Sequence, residues 1–328
     1  MKLPTMNDVL SATTLHRPHL PATPLVSCPT LETGSAATVL LKYENTLPTG
    51  AFKVRGGLNL VAGLGKEEKA RGILGYSTGN HAQSLAYAAR KFDVPCTIVM
   101  PKNPNPAKAK AVRMLGAELV EHGAEFEEAK HFAEALAEER GMRLVSSGNE
   151  PALVTGVATA YLEIFESAPS VDTVVVPVGS GSGAAAACLV ASAVAPKCRI
   201  IAVQSSASPA AHDAWRTGER VERPNHTIAE GLATGASFDI PQRIMRERLN
   251  DFVLVDDDAL LAAQRTLLLD AHMLVEAAGA AAYAALTAYP DLFAGRTVAL
   301  MCSGGNASAG DLRTLLSQPS STLSPEGS

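Results

Sequence analysis

The sequence is poor in the features that mark several large classes of protein. It has one tryptophan, aromatic residues make up 5%, and no internal repeat is visible. No block of basic residues stands out, and 33 acidic against 28 basic residues leave a net charge of −5. A footprint for a phosphate backbone is therefore missing, and nucleic acid is not an expected partner. Cysteine is sparse: Cys28, Cys96, Cys188, Cys198 and Cys302 are odd in number, scattered and never spaced CxxC. Neither a disulfide framework nor a zinc site is suggested, and a reducing cytoplasm fits best. The N-terminus lacks the charged-then-apolar profile of an export signal. The longest small-residue run, 183–195, is interrupted by Ser192 and closed by Pro196, short of the roughly 18 apolar residues of a membrane span. It reads as a buried helix, and no membrane partner is expected.

What is present is a chain of 328 residues, 47% of them apolar, long enough for roughly two domains. Short β-branched runs bounded by turn signals alternate with longer helical stretches, the pattern of βαβ units and parallel sheet in an α/β fold. Nine strands are expected, at 37–42, 72–76, 96–100, 118–121, 143–146, 173–178, 199–203, 251–255 and 297–301. The stretch from Phe126 to Leu136 carries apolar residues at three-to-four spacing with a charged opposite face, which predicts a surface helix. The last twelve residues, 317–328, have too little apolar content to offset ordering entropy and are expected to be a disordered tail.

Four segments carry chemistry. In the first, Lys53 lies between apolar Phe52 and Val54 at the start of a helix, either as a solvated surface lysine or as one whose lost solvation would lower its pKa and free a nucleophilic amine. The second, Ser77-Thr78-Gly79-Asn80-His81, follows a strand and opens a helix running to about Phe92. Its hydroxyls and exposed N–H groups form a cradle for a carboxylate, or an ordinary helix cap. The third, Gly179-Ser180-Gly181-Ser182-Gly183, again lies between strand and helix, where small residues let N–H groups converge on a phosphate. A dinucleotide fingerprint is the competing reading, but it wants an acid about 20 positions on. Gln204 stands there instead. The fourth, Cys302-Ser303-Gly304-Gly305-Asn306, ends the last strand, where ligands of open α/β sheets bind; Cys302 reads as a buried structural thiol.

In this order and spacing the four resemble the fold-type II pyridoxal-phosphate enzymes, specifically the serine/threonine dehydratase and serine racemase family. Thr227-Ile228-Ala229-Glu230-Gly231 and Val275-Glu276-Ala277-Ala278-Gly279 extend the match. The resemblance implies two parallel-sheet α/β domains with pyridoxal 5'-phosphate between them: a large domain of 1–71 plus 150–316 and a small mobile domain of 72–149. It implies Lys53 as the lysine that binds the cofactor covalently and Phe52 as the aromatic on its ring. Asn80 matches the contact to the pyridine 3-oxygen, residues 179–183 the phosphate loop, and Ser303 a neutral partner of the pyridine nitrogen. Ser77, Thr78, Gly79, Asn80 and His81 match the loop that closes on the substrate carboxylate. A homodimer is implied as well.

Departures are visible. Ala51, Glu230 and Val157 replace a usual serine, aspartate and glutamine, which leaves the cofactor assignment intact and the substrate open. Little chain follows the catalytic core, so a C-terminal regulatory domain is not expected. The divalent-metal motif of eukaryotic serine racemases wants a glutamate and an aspartate where Gln204 and Ala210 stand, so no metal is expected. The expected reaction is dehydration and deamination of threonine, serine or a 3-substituted serine, a small-molecule amino acid substrate, to a 2-oxo acid and ammonia. Racemisation is the alternative, and nucleotide binding the reading from another class. Thr78 bears on the first choice: stiff about its first torsion, its hydroxyl is expected to cap the backbone and leave elimination dominant.

Overall fold

The structure, a computed structural model, describes residues 2–32 and 36–317. Ten strands form two sheets among them. The six-stranded sheet contains β1 (Leu25–Ser27), β2 (Thr38–Tyr43), β7 (Thr173–Pro177), β8 (Arg199–Ser205), β9 (Asp251–Val255) and β10 (Thr297–Cys302), in the order β1-β2-β10-β7-β8-β9. The four-stranded sheet contains β3 (Ile73–Tyr76), β4 (Cys96–Met100), β5 (Glu118–Glu121) and β6 (Arg143–Val145), in the order β5-β4-β3-β6. All pairings are parallel except β1 with β2.

Thirteen α-helices accompany them: α1 (Met6–His16), α2 (Lys53–Ala62), α3 (Lys66–Arg71), α4 (Asn80–Lys91), α5 (Pro106–Met114), α6 (Phe126–Arg140), α7 (Pro151–Ser167), α8 (Ser182–Val194), α9 (Ala210–Thr217), α10 (Asp239–Arg248), α11 (Asp257–Leu269), α12 (Ala277–Ala288) and α13 (Ala309–Ser317).

The nine expected strands are present, their ends shifted by at most two residues. The tenth, β1, escapes a reading based on apolar runs because it has three residues, none of them buried, on the antiparallel edge. Helices α6 and α8 match the expectations at 126–136 and 183–195, and α2 and α4 begin at Lys53 and Asn80 as expected. Ser317, counted with the tail, closes α13; residues 318–328 lie outside the described residues.

Period-two alternation explains how the larger sheet is buried on both faces. Val174, Val176, Ile200, Ala202, Ala299 and Met301 pack with α7 and α8. The alternate residues Val175, Ile201, Val203, Val298 and Leu300 pack with α11 and α12. The smaller sheet repeats this: Ile73, Ile98 and Val145 face α4, while Leu74 and Val99 face Ala129, Ala133 and Leu136 of α6.

Helix α2 sits where the two halves meet. Its Val54, Leu58 and Val61 share one apolar cluster with α4 and the smaller sheet, and Leu153 of α7 joins it. The approach is close enough that a Cβ on Gly57 would overlap the Ser84 backbone, and one on Gly156 the Arg55 backbone. The first residue of this clamped helix is Lys53.

Candidate active site

A buried charge cluster holds α2 in register. Arg55, 1% exposed, forms paired hydrogen bonds with Glu44 (Nε–Oε2 2.7 Å, Nη2–Oε1 2.8 Å) and with Glu163 (Nη1–Oε1 2.7 Å, Nη2–Oε2 2.9 Å). Lys42 donates to Glu163 at 2.5 Å, so two cations offset two carboxylates. Such fork-to-carboxylate pairs fix geometry as well as charge. The neighbouring carboxylates push the Arg55 pKa up despite burial, and Arg55 and Lys42 hold Glu163 below its usual range against the same burial.

Two residues before Arg55, the Lys53 side chain crosses to the glycine loop. Its Nζ donates to Ser180 Oγ at 3.1 Å and Ser182 Oγ at 2.9 Å, 5.1 Å from the Phe52 ring centre. Its partners here are hydroxyls, and burial pulls its pKa down to about 8. His81 is 4% exposed, with neither ring nitrogen hydrogen-bonded among the described residues. Burial and the Lys53 charge push its pKa down to about 3, so it is neutral at physiological pH.

The loop is built for an anion. Helix α8 begins without a side-chain cap, leaving its first N–H groups free. Gly181 turns the chain at φ 87°, a conformation glycine adopts without strain. Gly179 lies so close to the Gly231 carbonyl that a Cβ there would overlap it. The Thr234 hydroxyl donates to the Gly179 carbonyl at 3.2 Å and tightens the loop. Beside Gly183, the buried Tyr161 hydroxyl has no partner among the described residues.

The strand ends of both sheets converge here. Ser303 follows β10, is 7% exposed, and its carbonyl accepts from Phe52 N–H at 3.0 Å. The second loop follows β3. There the Ser77 hydroxyl accepts from Gly79 N–H at 3.2 Å, while helix α4 starts at Asn80 with no side-chain cap. The half-buried Thr78 makes no side-chain hydrogen bond to a described residue. This corrects the expectation that its hydroxyl caps the backbone. The local bond is made one residue earlier, and the uncapped N–H groups of α4 stay available to a carboxylate.

Several contributors were not recognised as site residues from sequence. Asn80 Nδ2 donates to Glu276 Oε1 at 2.5 Å and Asn80 Oδ1 accepts from Asn306 Nδ2 at 2.8 Å. Lys108 on α5 pairs with Glu230, next to Gly231, tying the smaller sheet's side of the cleft to the larger. The available signal was their place in the sequence: Glu230 and Glu276 lie in the two segments that extend the match, and Asn306 closes the fourth segment.

These features define a two-sheet α/β enzyme with a desolvated lysine over an anion cradle, and the comparisons give its family. The family model described as "Pyridoxal-phosphate dependent enzyme" matches residues 16–304, and the chain belongs to that family. An L-threonine ammonia-lyase of Thermotoga maritima is 35% identical over 305 residues, 92% of this chain and 75% of that protein. An L-threo-3-hydroxyaspartate ammonia-lyase of a Pseudomonas species is 32% identical over 318 residues, 96% and 99% of the two chains. The solved structure of maize serine racemase superposes with TM-score 0.91 at 26% identity, covering 96% and 97%. Of the Salmonella typhimurium and Escherichia coli biosynthetic threonine dehydratases, the chain spans 57% of the length.

The fold is thus fold-type II and the cofactor pyridoxal phosphate. The site's chemistry fits that group: an anion cradle at α8, an amine with depressed pKa, and orphaned polar atoms on Tyr161 and His81. The nicotinamide alternative falls with it. Gln204, at the position a ribose acid would take, is buried on β8 and accepts from His212 N–H at 3.0 Å.

Proposed function

We propose that this protein is a hydroxy amino acid ammonia-lyase, converting threonine, serine or a 3-substituted serine to a 2-oxo acid and ammonia. The observation that carries the reading is the Lys53 amine, depressed to about pKa 8 and held over the 179–183 loop by two hydroxyls. Bound there, pyridoxal phosphate supplies the electron sink that makes the α-proton of an attached amino acid removable. Lys53 would hold the cofactor covalently, and its amine, when free and neutral, would be the base for the α-proton. Residues 179–183 and the N-terminus of α8 would hold the phosphate, Phe52 would pack on the ring and Asn80 would meet its 3-oxygen. Ser303 would offer the ring nitrogen a neutral hydroxyl, which does not enforce its protonation. The N–H groups of residues 78–81 take the substrate carboxylate, with Ser77 and His81 shaping the loop.

Residues 72–149 are read as the mobile unit closing on 1–71 plus 150–316, with the Lys108–Glu230 pair as a contact across the cleft. Five free thiols agree with a reducing cytoplasm, and a homodimer is read from the family resemblance. No described helix is long and apolar enough to cross a membrane.

Racemisation is the second reading because the Thr78 hydroxyl has no side-chain hydrogen bond to a described residue and is free to carry a proton. A panel of L-hydroxy amino acids, 3-hydroxyaspartate included, assayed together for 2-oxo acid, ammonia and D-isomer separates the two. Equal release of oxo acid and ammonia from at least one substrate is expected. Its absence from all of them would refute the lyase reading.

A further inference from the structure

Asn306 begins a directional chain of hydrogen bonds. Its Nδ2 donates to the Thr49 carbonyl at 2.8 Å, and because a carbonyl oxygen can only accept, the orientation of the Asn306 amide is fixed. The same nitrogen donates its second hydrogen to Asn80 Oδ1 at 2.8 Å. Oδ1 is therefore the accepting half of the Asn80 amide, and Nδ2 is the half that donates to Glu276 Oε1 at 2.5 Å. Glu276 Oε1 accepts there, so both ends of the chain agree on the same orientation. One N–H of Asn80 goes to Glu276. The other has no partner among the described residues.

Glu276 reaches Asn80 by a constrained route. It immediately precedes α12, and its backbone N–H donates to the Gly304 carbonyl at 3.0 Å. Its carboxylate then passes over Gly304, where a Cβ would overlap Oε1. Burial raises the Glu276 pKa, while the Asn80 hydrogen bond and the Lys108 charge pull toward the carboxylate.

We propose that Glu276 and Asn306 are positioning residues that lock the Asn80 amide with its free N–H toward the ring 3-oxygen of pyridoxal phosphate. This rests on the reading of Asn80 as the partner of that oxygen. An amide turned by 180° presents Oδ1 to an anionic oxygen, replacing a donor with a repulsive acceptor. Asn80 alone cannot prevent the turn, because the two ends of its amide have nearly the same shape. The two anchors come from separate parts of the chain, one beside β10 and one before α12.

The test compares wild type with Asn80→Ala, Glu276→Leu, Glu276→Gln and Asn306→Ala, each reconstituted with pyridoxal phosphate. The readouts are the visible absorption band of the bound cofactor and its Kd by titration, with far-UV circular dichroism confirming the fold. Asn80→Ala and Glu276→Leu are expected to move the band in the same direction and raise Kd by about 5- to 10-fold, the scale of one hydrogen bond. Glu276→Gln keeps an acceptor oxygen and should retain the wild-type band, with a Kd within about twofold, well inside one hydrogen bond's worth. Asn306→Ala should shift the band in the same direction by less.

A wild-type band and Kd in Glu276→Leu, beside changes in Asn80→Ala, would overturn the inference and leave the Asn80 reading intact. An unchanged Asn80→Ala would overturn both. Glu276→Gln as defective as Glu276→Leu would show that charge and not orientation matters, and would also overturn it. Should Glu276→Leu not fold, an unchanged Asn306→Ala is the overturning result.

Discussion

The pKa of Lys53, about 8, has a measurable consequence for cofactor capture. Only the neutral amine attacks an aldehyde, so the rate of covalent capture follows its population. At pH 7 roughly one Lys53 in ten is neutral, against roughly one in 2,500 for a free lysine side chain of pKa about 10.4. The site therefore gives an advantage of roughly 200-fold at pH 7, falling to about 25-fold at pH 9 as Lys53 approaches full deprotonation. The assay is stopped-flow absorbance of cofactor-free protein mixed with pyridoxal phosphate. Rates are divided by those of an Nα-acetyl-lysine amide control, which removes the pH dependence of the free cofactor. The ratio is expected to fall about tenfold between pH 7 and 9. A ratio independent of pH would refute the depressed pKa, and with it the claim that burial alone activates this amine. The same shift makes a linkage prediction. From about pH 8 to 10.4 the unfolded chain holds a proton that folded Lys53 has lost, so this group's contribution to stability rises with pH there.

Arg55→Met removes the shared partner of Glu44 and Glu163, leaving Glu44 with the Thr23 hydroxyl at 2.6 Å as its remaining partner. A loss of about 3–5 kcal/mol is expected in denaturant melts, partly restored in Arg55→Met/Glu44→Gln; a change below about 1 kcal/mol would contradict the buried-cluster argument. Gly179→Ala drives a methyl into the Gly231 carbonyl, so cofactor retention on a desalting column should fall while Gly63→Ala, whose added methyl meets only ordinary contacts, retains it. In deuterated water, Thr78→Ala is expected to leave elimination from L-serine and L-threonine largely intact and to reduce α-deuterated D-isomer. Fast D-isomer formation in the wild type exceeding elimination would promote the racemase reading. EDTA is not expected to lower turnover, because Gln204 and Ala210 offer no anionic ligand; loss restored by magnesium or calcium would show the opposite.

What the sequence determined by itself was local. The β-branched run Val174-Val175-Val176 announced a strand, and the fold covers it on both faces because side chains of a strand point alternately to opposite sides. Small residues between that strand and an alanine-rich helix announced an anion cradle, because both the turn and the helix dipole are properties of neighbouring residues. Lys53 between Phe52 and Val54 left a solvated and a desolvated amine both open, and burial in the fold decided for the second. What the tertiary structure decided lies between residues far apart in the chain. Asn80 and Glu276, 196 positions apart, look like an isolated amide and an isolated acid until α4 and α12 meet at Gly304. Lys42, Glu44, Arg55 and Glu163 are ordinary charges in their own segments and become a buried cluster only when β2, α2 and α7 pack. The Thr78 hydroxyl misled for a related reason: a threonine beside a helix start has a local tendency to cap, but Gly79 holds the N-cap position of α4 and no side chain caps that helix. Hydrogen-bond partners compete in space, and only the folded chain shows which of them arrives first at each donor and acceptor.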